Sequence, residues 1–289
     1  MSEIEPSPQI PWKPIVWFGV FLVLAYFPVI LGLVKHWNFD DDMGHAFFVP
    51  LVAAYVAWDN RNALSNLKTK PSIVGLILIL WGIVQLYIGS LGAEFFLQRS
   101  ALLISLVGVV LATGGWQLLK VLAFPISLLI FMIPIPAVLY NRITFPLQLF
   151  ASTVAENVLL LIGIPVLRDG NILELASQKL SVVEACSGIR SLLSLTFLSL
   201  VYAYFFDKRP RMRLYMLLAT IPIAIIANAG RVTVTGILSE INPELARGVF
   251  HEMEGWVVFL IAGVLLALAH QMFSFILTWN EKRNSTVLA

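Results

Sequence analysis

The sequence has little charge for its length. Charged residues make up 12% of its 289 residues, whereas hydrophobic residues make up 59% and the mean hydropathy is +0.87. A soluble domain carries about 25% charged residues to cover its surface. The same composition excludes a disordered chain, a collagen-like repeat and a disulfide-stapled secreted scaffold. We therefore predict an integral membrane protein, with the lipid bilayer as its surroundings.

Other absences narrow the function further. The sequence has one cysteine, Cys186, so no internal disulfide can form. The net charge of +2 comes without a basic face, which excludes nucleic-acid binding as a function class. Residues 1–14 contain Glu3, Glu5 and four prolines, so we expect a cytoplasmic N-terminal tail and not a cleavable signal peptide. We expect no cofactor and no bound metal.

Apolar segments long enough to cross a bilayer recur along the chain. A hydrocarbon core of roughly 30 Å needs about 20 apolar residues in a helix. We therefore predict an all-α polytopic membrane protein of about eight transmembrane helices, forming a single domain over residues 1–289. The eight candidate segments are 15–34, 46–58, 73–89, 101–119, 121–139, 187–206, 214–231 and 256–278.

Segment 143–164 is apolar but carries polar side chains, among them Gln148 and Glu156. With eight spans and the N-terminus inside, the basic clusters within 61–70, 207–213 and 282–283 all fall in the cytoplasm, as the positive-inside rule favours. A ninth span at 143–164 would place some of them outside. We therefore predict that this segment is a helix in the outer interface.

A short region before the sixth span has a β pattern. Within 164–183, the pair Asp169-Gly170 is typical of a hairpin turn, and the residues from Lys179 alternate in polarity. This pattern predicts a small β-hairpin on the outer face, directly before the helix that carries Cys186.

Cys186 is the first candidate for chemistry. It lies at the predicted start of a helix, where the helix dipole and unpaired backbone N–H groups favour a thiolate. Arg190 follows four residues later, on the same helical face, and adds positive charge. The alternative is that Cys186 is a small buried hydrophobic residue, as most free cysteines are.

Two further motifs fall on the outer side in this topology. Arg231 lies near the outer end of the seventh span, with Asn228 one turn before it on the same face. A charged residue at that depth indicates either a functional site or a side chain that reaches to the interface. His251 can transfer protons at neutral pH, and Glu254 is placed to orient it. The alternative is a solvated surface histidine.

Together, a thiolate, an arginine and a histidine on one membrane face form a possible cysteine-nucleophile site. The residues alone support no more than a membrane cysteine enzyme. A competing metal site would use the acidic residues 40–42 and His45, but a single histidine with carboxylates is a weak metal signal.

Three motifs resemble the exosortase/archaeosortase family in order and spacing. They are Val-Glu-Ala-Cys-Ser-Gly-Ile-Arg-Ser-Leu at 183–192, Asn-Ala-Gly-Arg-Val-Thr at 228–233 and Phe-His-Glu-Met-Glu-Gly-Trp at 250–256. The resemblance is strongest over 164–260, which we take as the catalytic region. Near the N-terminus, the segment around His45 resembles the family's Ser-His-Gly element, although Gly44 and Ala46 flank the histidine here.

This resemblance implies a membrane-embedded cysteine protease or transpeptidase. Its substrates would be exported proteins with a C-terminal tail of short motif, transmembrane helix and basic cluster, as in PEP-CTERM proteins. Cys186 would be the nucleophile that forms an acyl-thioester, with Arg231 and His251 as the other catalytic positions. Arg190, Asn228, Glu254 and His45 would support them. The family also implies a multi-pass protein of the cytoplasmic (inner) membrane, with its active site facing the periplasm.

Several alternatives stay open at this point. The acyl acceptor is unknown, with a lipid, an extracellular polysaccharide or water as candidates. The resemblance does not assign the proton donor, but an always-charged arginine suits anion binding and a histidine suits proton transfer. A rival from another class is a transporter or polysaccharide-export partner, in which Arg190, Asn228 and Arg231 line a polar pathway. The third alternative is a structural scaffold with no catalytic activity.

Overall fold

The structure is a computed structural model that describes residues 12–65, 67–182, 188–242 and 248–287, apart from a few side chains within helices. The chain divides into two compact units, Met1–Pro136 and Ala137–Ala289. Most of the predicted cytoplasmic tail lies outside the described residues. The single domain over 1–289 stays a prediction, as does the catalytic region at 164–260, whose residue range falls within the second unit.

The first unit is helical throughout its described part. Its first two helices meet at Tyr26 with a bend of 66°, and the Tyr26 hydroxyl contacts the Ala101 carbonyl oxygen at 3.1 Å. This contact fixes the bend against a neighbouring helix. The elements are α1 (Trp12–Ala25), α2 (Phe27–Phe39), a 3-10 helix (Asp41–Phe47), α3 (Phe48–Asp59), α4 (Arg61–Ser65), α5 (Ile73–Leu91), α6 (Phe95–Leu128) and a second 3-10 helix (Leu129–Met132).

Glycines allow α5 and α6 to pack at close range. Gly75 and Gly82 lie seven residues apart on α5, and both are buried. A Cβ atom at Gly75 would collide with the backbone nitrogen of Ala112, and one at Gly82 would collide with the Ser105 hydroxyl. Because lipid offers no hydrophobic drive for two helices to associate, such close backbone packing is a main source of their attraction.

Helix α6 is interrupted at Gly115, which has φ 70° and ψ −162°. A side chain there would collide with the carbonyl oxygen of Lys70, so both the backbone angles and the space require glycine. This break falls inside the predicted span 101–119, five residues before the predicted boundary at residue 120.

The described part of the second unit combines four helices with a small sheet. Its three antiparallel strands are ordered β1-β2-β3, and a turn at Gly170, with φ 62°, joins the first two. The predicted hairpin is therefore confirmed, and a third strand is added to it. The elements are α7 (Ala137–Leu161), β1 (Val166–Asp169), β2 (Ile172–Leu175), β3 (Lys179–Ser181), α8 (Gly188–Phe206), α9 (Pro210–Ile241) and α10 (Gly248–Val287).

The helices confirm a multi-pass membrane protein but not eight spans. In the described part of the chain, five helical segments are long and apolar enough to cross a bilayer, or six if the bent pair α1–α2 is one span. Helix α7 is one of the five, because it runs unbroken for 25 residues. Helix α7 is therefore long enough to cross the bilayer, whereas the sequence predicted a helix in the outer interface.

Helix α9 is also longer than the predicted span. It has 32 residues, about 48 Å at 1.5 Å per residue, and continues ten residues beyond Arg231. The helix therefore extends past the predicted span 214–231 at both ends.

Two buried clusters hold the second unit together. In one, β2 and β3 pack against α7 and α9, with Leu173, Leu180, Ala155 and Val232 as central members. The other joins α8, α9 and α10. The sheet and the other three helices therefore pack around α9 from Met212, near its start, to Val232, the neighbour of Arg231.

Candidate active site

Arg231 of α9 contacts the start of the membrane segment of α10. The position that a Cβ atom would take on Gly255 is 3.3 Å from Arg231 Nη2 and 3.4 Å from its Cζ. The guanidinium thus lies against the bare backbone of α10, in space that any side chain would reduce. Arg231 itself is half-buried.

The predicted residue His251 lies one turn from this contact. Residues 251 and 255 are four apart within α10, so they share one helical face, about 6 Å apart along the axis. The side chains of His251 and Glu254 lie outside the described residues. The helix packing nonetheless brings the Arg231 guanidinium to within one turn of the His251 backbone position.

Other polar residues of α9 share the face of Arg231. Asn228 lies one turn before it and is buried, with 7% of its surface exposed. Thr235 lies one turn after it and donates its hydroxyl proton to the Arg231 carbonyl oxygen at 3.0 Å. The predicted alignment of Asn228 with Arg231 is therefore present, and Thr235 extends it on one continuous helix. Ser239, fully buried, extends the stripe by one more turn.

The small sheet is bonded to the C-terminal end of this stripe. Gln178 Nε2 donates a hydrogen bond to Ser239 Oγ at 2.7 Å. The backbone N–H of Ser177 donates to Glu240 Oε1 at 3.0 Å. The turn between β2 and β3 is thus fixed to the same helix that carries Arg231, two turns further along.

The sheet is also bonded to α7. Arg168 Nε donates to Glu156 Oε2 at 2.7 Å, and Asn171 Nδ2 donates to Gln148 Oε1 at 3.2 Å. These contacts explain why Glu156 and Gln148 are polar in the otherwise apolar segment 143–164. They hold the sheet, so their presence is no reason to keep α7 out of the membrane.

Cys186 lies outside the described residues, as does the side chain of Arg190, whose backbone is in α8. The last described residue before the cysteine is Val182, which is fully buried. It packs in the same cluster as Ala229 and Val232, the neighbours of Arg231. The chain that leads to Cys186 therefore starts beside the part of α9 that carries the arginine.

Comparison with known proteins identifies the family of this chain. The chain matches the sequence model of the transmembrane exosortases over residues 37–268, which is most of its length. The chain belongs to the transmembrane exosortase family. It is therefore a membrane sorting enzyme in general terms. Neither the curated proteins nor the solved structures contain a match.

The remaining predicted residue, His45, lies in the first unit. It is half-buried in the 3-10 helix Asp41–Phe47, directly before α3. Its supporting role in this exosortase stays a prediction.

A second polar cluster lies at the opposite end of α9. The carboxylate of Asp207 accepts hydrogen bonds from Arg209 Nε and Nη2, the latter at 2.7 Å, and Arg209 Nη2 also donates to Ser274. These bonds from Arg209 are the main reason that the pKa of Asp207 is lowered, although burial opposes them. His270 lies 3.8 Å from the same carboxylate. The cluster ties the loop between α8 and α9 to α10.

Sequence reasoning missed Gly255 and Ser239. Gly255 was part of the motif at 250–256, but the sequence did not show that a guanidinium packs against it. Ser239 continues the four-residue spacing from Arg231 and Thr235, but it lies beyond the predicted end of the span. The role of each residue depends on a partner that is distant in the sequence: Arg231 for Gly255 and Gln178 for Ser239.

Proposed function

We propose that this exosortase is a membrane-embedded cysteine transpeptidase. It cleaves the C-terminal sorting tail of exported proteins at the outer face of the cytoplasmic membrane and transfers them to a surface acceptor. The observation that carries the proposal is the contact of the Arg231 guanidinium with Gly255, one turn from His251. Family membership supports the cysteine as the nucleophile.

Covalent reach is consistent with a cysteine close to these residues. Residue 186 follows Val182 by four residues, and an extended chain covers at most about 3.6 Å per residue. The Cα atoms of the two residues are therefore at most about 14 Å apart. Val182 packs in one cluster with Ala229 and Val232, the neighbours of Arg231. The length of the connecting chain therefore allows Cys186 to lie close to Arg231.

In the first step, the Cys186 thiolate attacks the scissile carbonyl carbon of the tail. The carbonyl oxygen becomes an oxyanion, and the permanently charged Arg231 guanidinium stabilises it. The imidazolium of His251 then protonates the departing nitrogen as the C–N bond breaks. The tail leaves with a free amino terminus, and the exported protein stays on Cys186 as a thioester.

In the second step, a nucleophile of the acceptor attacks the thioester. The neutral imidazole of His251 takes the proton of an attacking hydroxyl or amine, and Cys186 leaves as a thiolate. The balance is one peptide bond broken and one ester or amide formed. Water in place of the acceptor would give hydrolysis instead.

The position of Arg231 suits a tail that is itself a transmembrane helix. Such a tail diffuses in the plane of the membrane, and lateral docking against α9 and α10 would hold its outer end at the level of the guanidinium. Holding the two reacting groups in register replaces a bimolecular encounter with an intramolecular one, which lowers the entropic part of the barrier.

A co-expression experiment tests this function. A surface protein from the same genome, with a motif, an apolar helix and a basic C-terminal cluster, is expressed with the wild-type enzyme, with Cys186→Ala and with Arg231→Gln. Arg211→Gln serves as a matched control, because Arg211 is exposed at the start of the same helix. The mass of the substrate is measured by mass spectrometry.

We expect the tail to be removed by the wild-type enzyme and by Arg211→Gln, and retained with Cys186→Ala and Arg231→Gln. A new C-terminal mass equal to that of free acid indicates hydrolysis, and a larger mass indicates transfer. Equal processing by wild type and Cys186→Ala would contradict the cysteine mechanism. A transporter or export partner should tolerate Cys186→Ala in its own assay.

A further inference from the structure

Arg99 is a buried charge near one end of a membrane segment. It is the fifth residue of α6, about 6 Å along the axis from the first, and 9% of its surface is exposed. Among the described residues, Arg99 and Asp207 are the two charged side chains that the protein buries. The charge of Asp207 is compensated by its ion pair with Arg209. In the described part of the chain, Arg99 has no carboxylate within ion-pair distance.

The guanidinium of Arg99 also lacks hydrogen bonds to the residues that the structure describes. Its Cζ atom lies 5.6 Å from the centre of the Phe95 ring, a contact that is weak compared with the cost of burying a charge. Glu94 attracts the guanidinium from beyond ion-pair distance, because residues five apart do not share a helical face. The positive charge is therefore poorly compensated by the described protein groups.

The backbone around Arg99 is held by bonds that do not involve its guanidinium. Gln85 of α5 donates to the Leu97 carbonyl oxygen at 3.0 Å, and Gln98 of α6 donates to the Gly89 carbonyl oxygen at 3.0 Å. These bonds join the facing ends of α5 and α6. The helix that carries Arg99 is thus fixed, while the guanidinium keeps its donors for another partner.

These donors can be reached from outside the protein. The guanidinium nitrogen atoms are not fully enclosed, so they contribute to the small exposed part of the residue. A guanidinium has five N–H donors and no acceptor, and it stays charged in proteins. Its partner must therefore be an acceptor, and an anion would also compensate the charge.

We propose that Arg99 binds a phosphate group, which a phospholipid headgroup of the adjoining leaflet supplies. A guanidinium matches the oxygen atoms of a phosphate with two parallel N–H···O bonds. The phosphate provides the acceptors and the negative charge that the described residues do not. This site lies within the first unit and is independent of the cysteine chemistry.

The level of Arg99 in the membrane favours a lipid phosphate. The apolar segment that begins at Phe95 extends to Met132, and Arg99 lies about one turn inside its first end. Phospholipid headgroups begin where the hydrocarbon core ends. At the same level, the start of α6 presents the unpaired backbone N–H groups and the positive dipole end of a helix, which also favour an anion. In the orientation that we propose, this is the outer leaflet.

Binding of defined probes tests the site without any cleavage assay. The full chain is purified in an uncharged detergent, and native mass spectrometry measures the bound fraction over a concentration series of each probe. The probes are phosphatidylglycerol, diacylglycerol with the same acyl chains but no phosphate, and inorganic phosphate. The proteins are the wild type, Arg99→Gln, Arg99→Lys and Arg142→Gln. Arg142 is the matched control, because it is exposed and is the sixth residue of α7.

We expect phosphatidylglycerol to bind the wild type and Arg142→Gln alike, and Arg99→Gln about 10- to 100-fold more weakly. This factor is typical of hydrogen bonds to a charged group. Arg99→Lys keeps the charge but not the paired bonds, so its affinity should fall between the two. Diacylglycerol should bind all four proteins weakly and equally. Phosphatidylglycerol should also raise the thermal unfolding midpoint of the wild type more than that of Arg99→Gln.

Inorganic phosphate that binds the wild type as tightly and displaces phosphatidylglycerol would identify free phosphate as the source of the group. Equal binding of phosphatidylglycerol to the wild type and Arg99→Gln would overturn the proposal, as would equal binding of phosphatidylglycerol and diacylglycerol to the wild type. If Arg99→Gln does not fold, Arg99→Lys decides: affinity equal to that of the wild type would contradict paired recognition of a phosphate.

Discussion

The guanidinium of Arg231 lies against Gly255, with Nη2 3.3 Å from the position that a Cβ atom would occupy there. The absence of a side chain lets a charged group approach the backbone of a neighbouring helix at membrane depth. It also sets the distance between the arginine and the face of α10 that carries His251. The two motifs for which we propose catalytic roles are therefore in contact through a glycine, which has no side chain.

Substitution of Gly255 should reduce activity in proportion to side-chain size. A Cβ atom at 3.3 Å requires a shift of a few tenths of an ångström, so Gly255→Ala should have a small effect. Gly255→Val should displace the guanidinium further and lower kcat by about 10- to 100-fold, because small misplacements of catalytic groups are costly. The measurement is the rate of tail cleavage in nanodiscs.

Gly263→Ala is the control for this series. It lies two turns further along α10, and a Cβ atom there has no neighbour within 4 Å. It should keep full activity. If Gly255→Val also keeps full activity, the position of the guanidinium does not limit the reaction.

Loss of the bond between the sheet and α9 should affect the cysteine. Ser239→Val removes the acceptor of the Gln178 hydrogen bond near the C-terminal end of α9. Because the sheet leads directly to the segment with Cys186, we expect a changed alkylation rate of this single cysteine and a drop in kcat of about tenfold, with KM little changed. Iodoacetamide labelling followed by mass spectrometry measures the rate.

Lys179→Ala is a matched control at the start of β3, next to Gln178. Lys179 pairs with Glu174 across the strands, is largely exposed, and should contribute little. Equal labelling rates for the wild type, Ser239→Val and Lys179→Ala would show that the sheet does not position the cysteine.

The Asp207 cluster should make stability depend on pH. Hydrogen bonds from Arg209 lower the pKa of Asp207 below its ordinary value of 3.8. A lowered pKa in the folded state means that the stabilisation is present above the unfolded value and is lost as the pH falls through the folded one. At pH 7, Asp207→Asn should therefore cost about 1.5–3 kcal/mol of unfolding free energy.

The difference between wild type and Asp207→Asn should shrink as the pH falls below 3.8. Thermal unfolding in nanodiscs across this range measures it, with Asp59→Asn, at an exposed position of α3, as the control. A difference that persists unchanged at low pH would assign the effect to packing and not to the charge.

The packing of α5 on α6 predicts a stability effect without a functional one. Gly82→Ala introduces a Cβ atom that collides with Ser105, so we expect a loss of about 1–3 kcal/mol, typical of overpacking. Gly32→Ala, in α2, has open space around it and should be neutral or slightly stabilising. Guanidinium or heat unfolding of both variants provides the comparison.

Composition, turn chemistry and motif order carried much of the sequence analysis. The shortage of charge identified a membrane protein, because apolar surface on this scale cannot face water. The Asp169-Gly170 pair located the turn between β1 and β2, because glycine adopts positive φ without strain. The order and spacing of the three motifs identified the family, because both can be read directly from the sequence.

Features that depend on distant partners were not predictable in the same way. The polar residues of α7 indicated an interfacial helix, but Glu156 and Gln148 bond to the sheet through Arg168 and Asn171. A single sequence shows that a residue is polar, not what satisfies it. Similarly, hydropathy ended the seventh span at Arg231, whereas the helix is extended by contacts of Ser239 and Glu240 with the sheet.

The length of α9 makes bilayer thickness a variable of the reaction. Arg231 lies 21 residues after Pro210, about 32 Å along the helix axis, which is close to the thickness of a typical hydrocarbon core. In the orientation that we propose, the basic end of α9 lies at the cytoplasmic surface, so longer acyl chains would submerge the guanidinium and shorter ones would expose it to water. Hydrophobic mismatch would then act on the level of the charge itself, and the lipid composition of the host membrane would tune this exosortase without any change in its sequence.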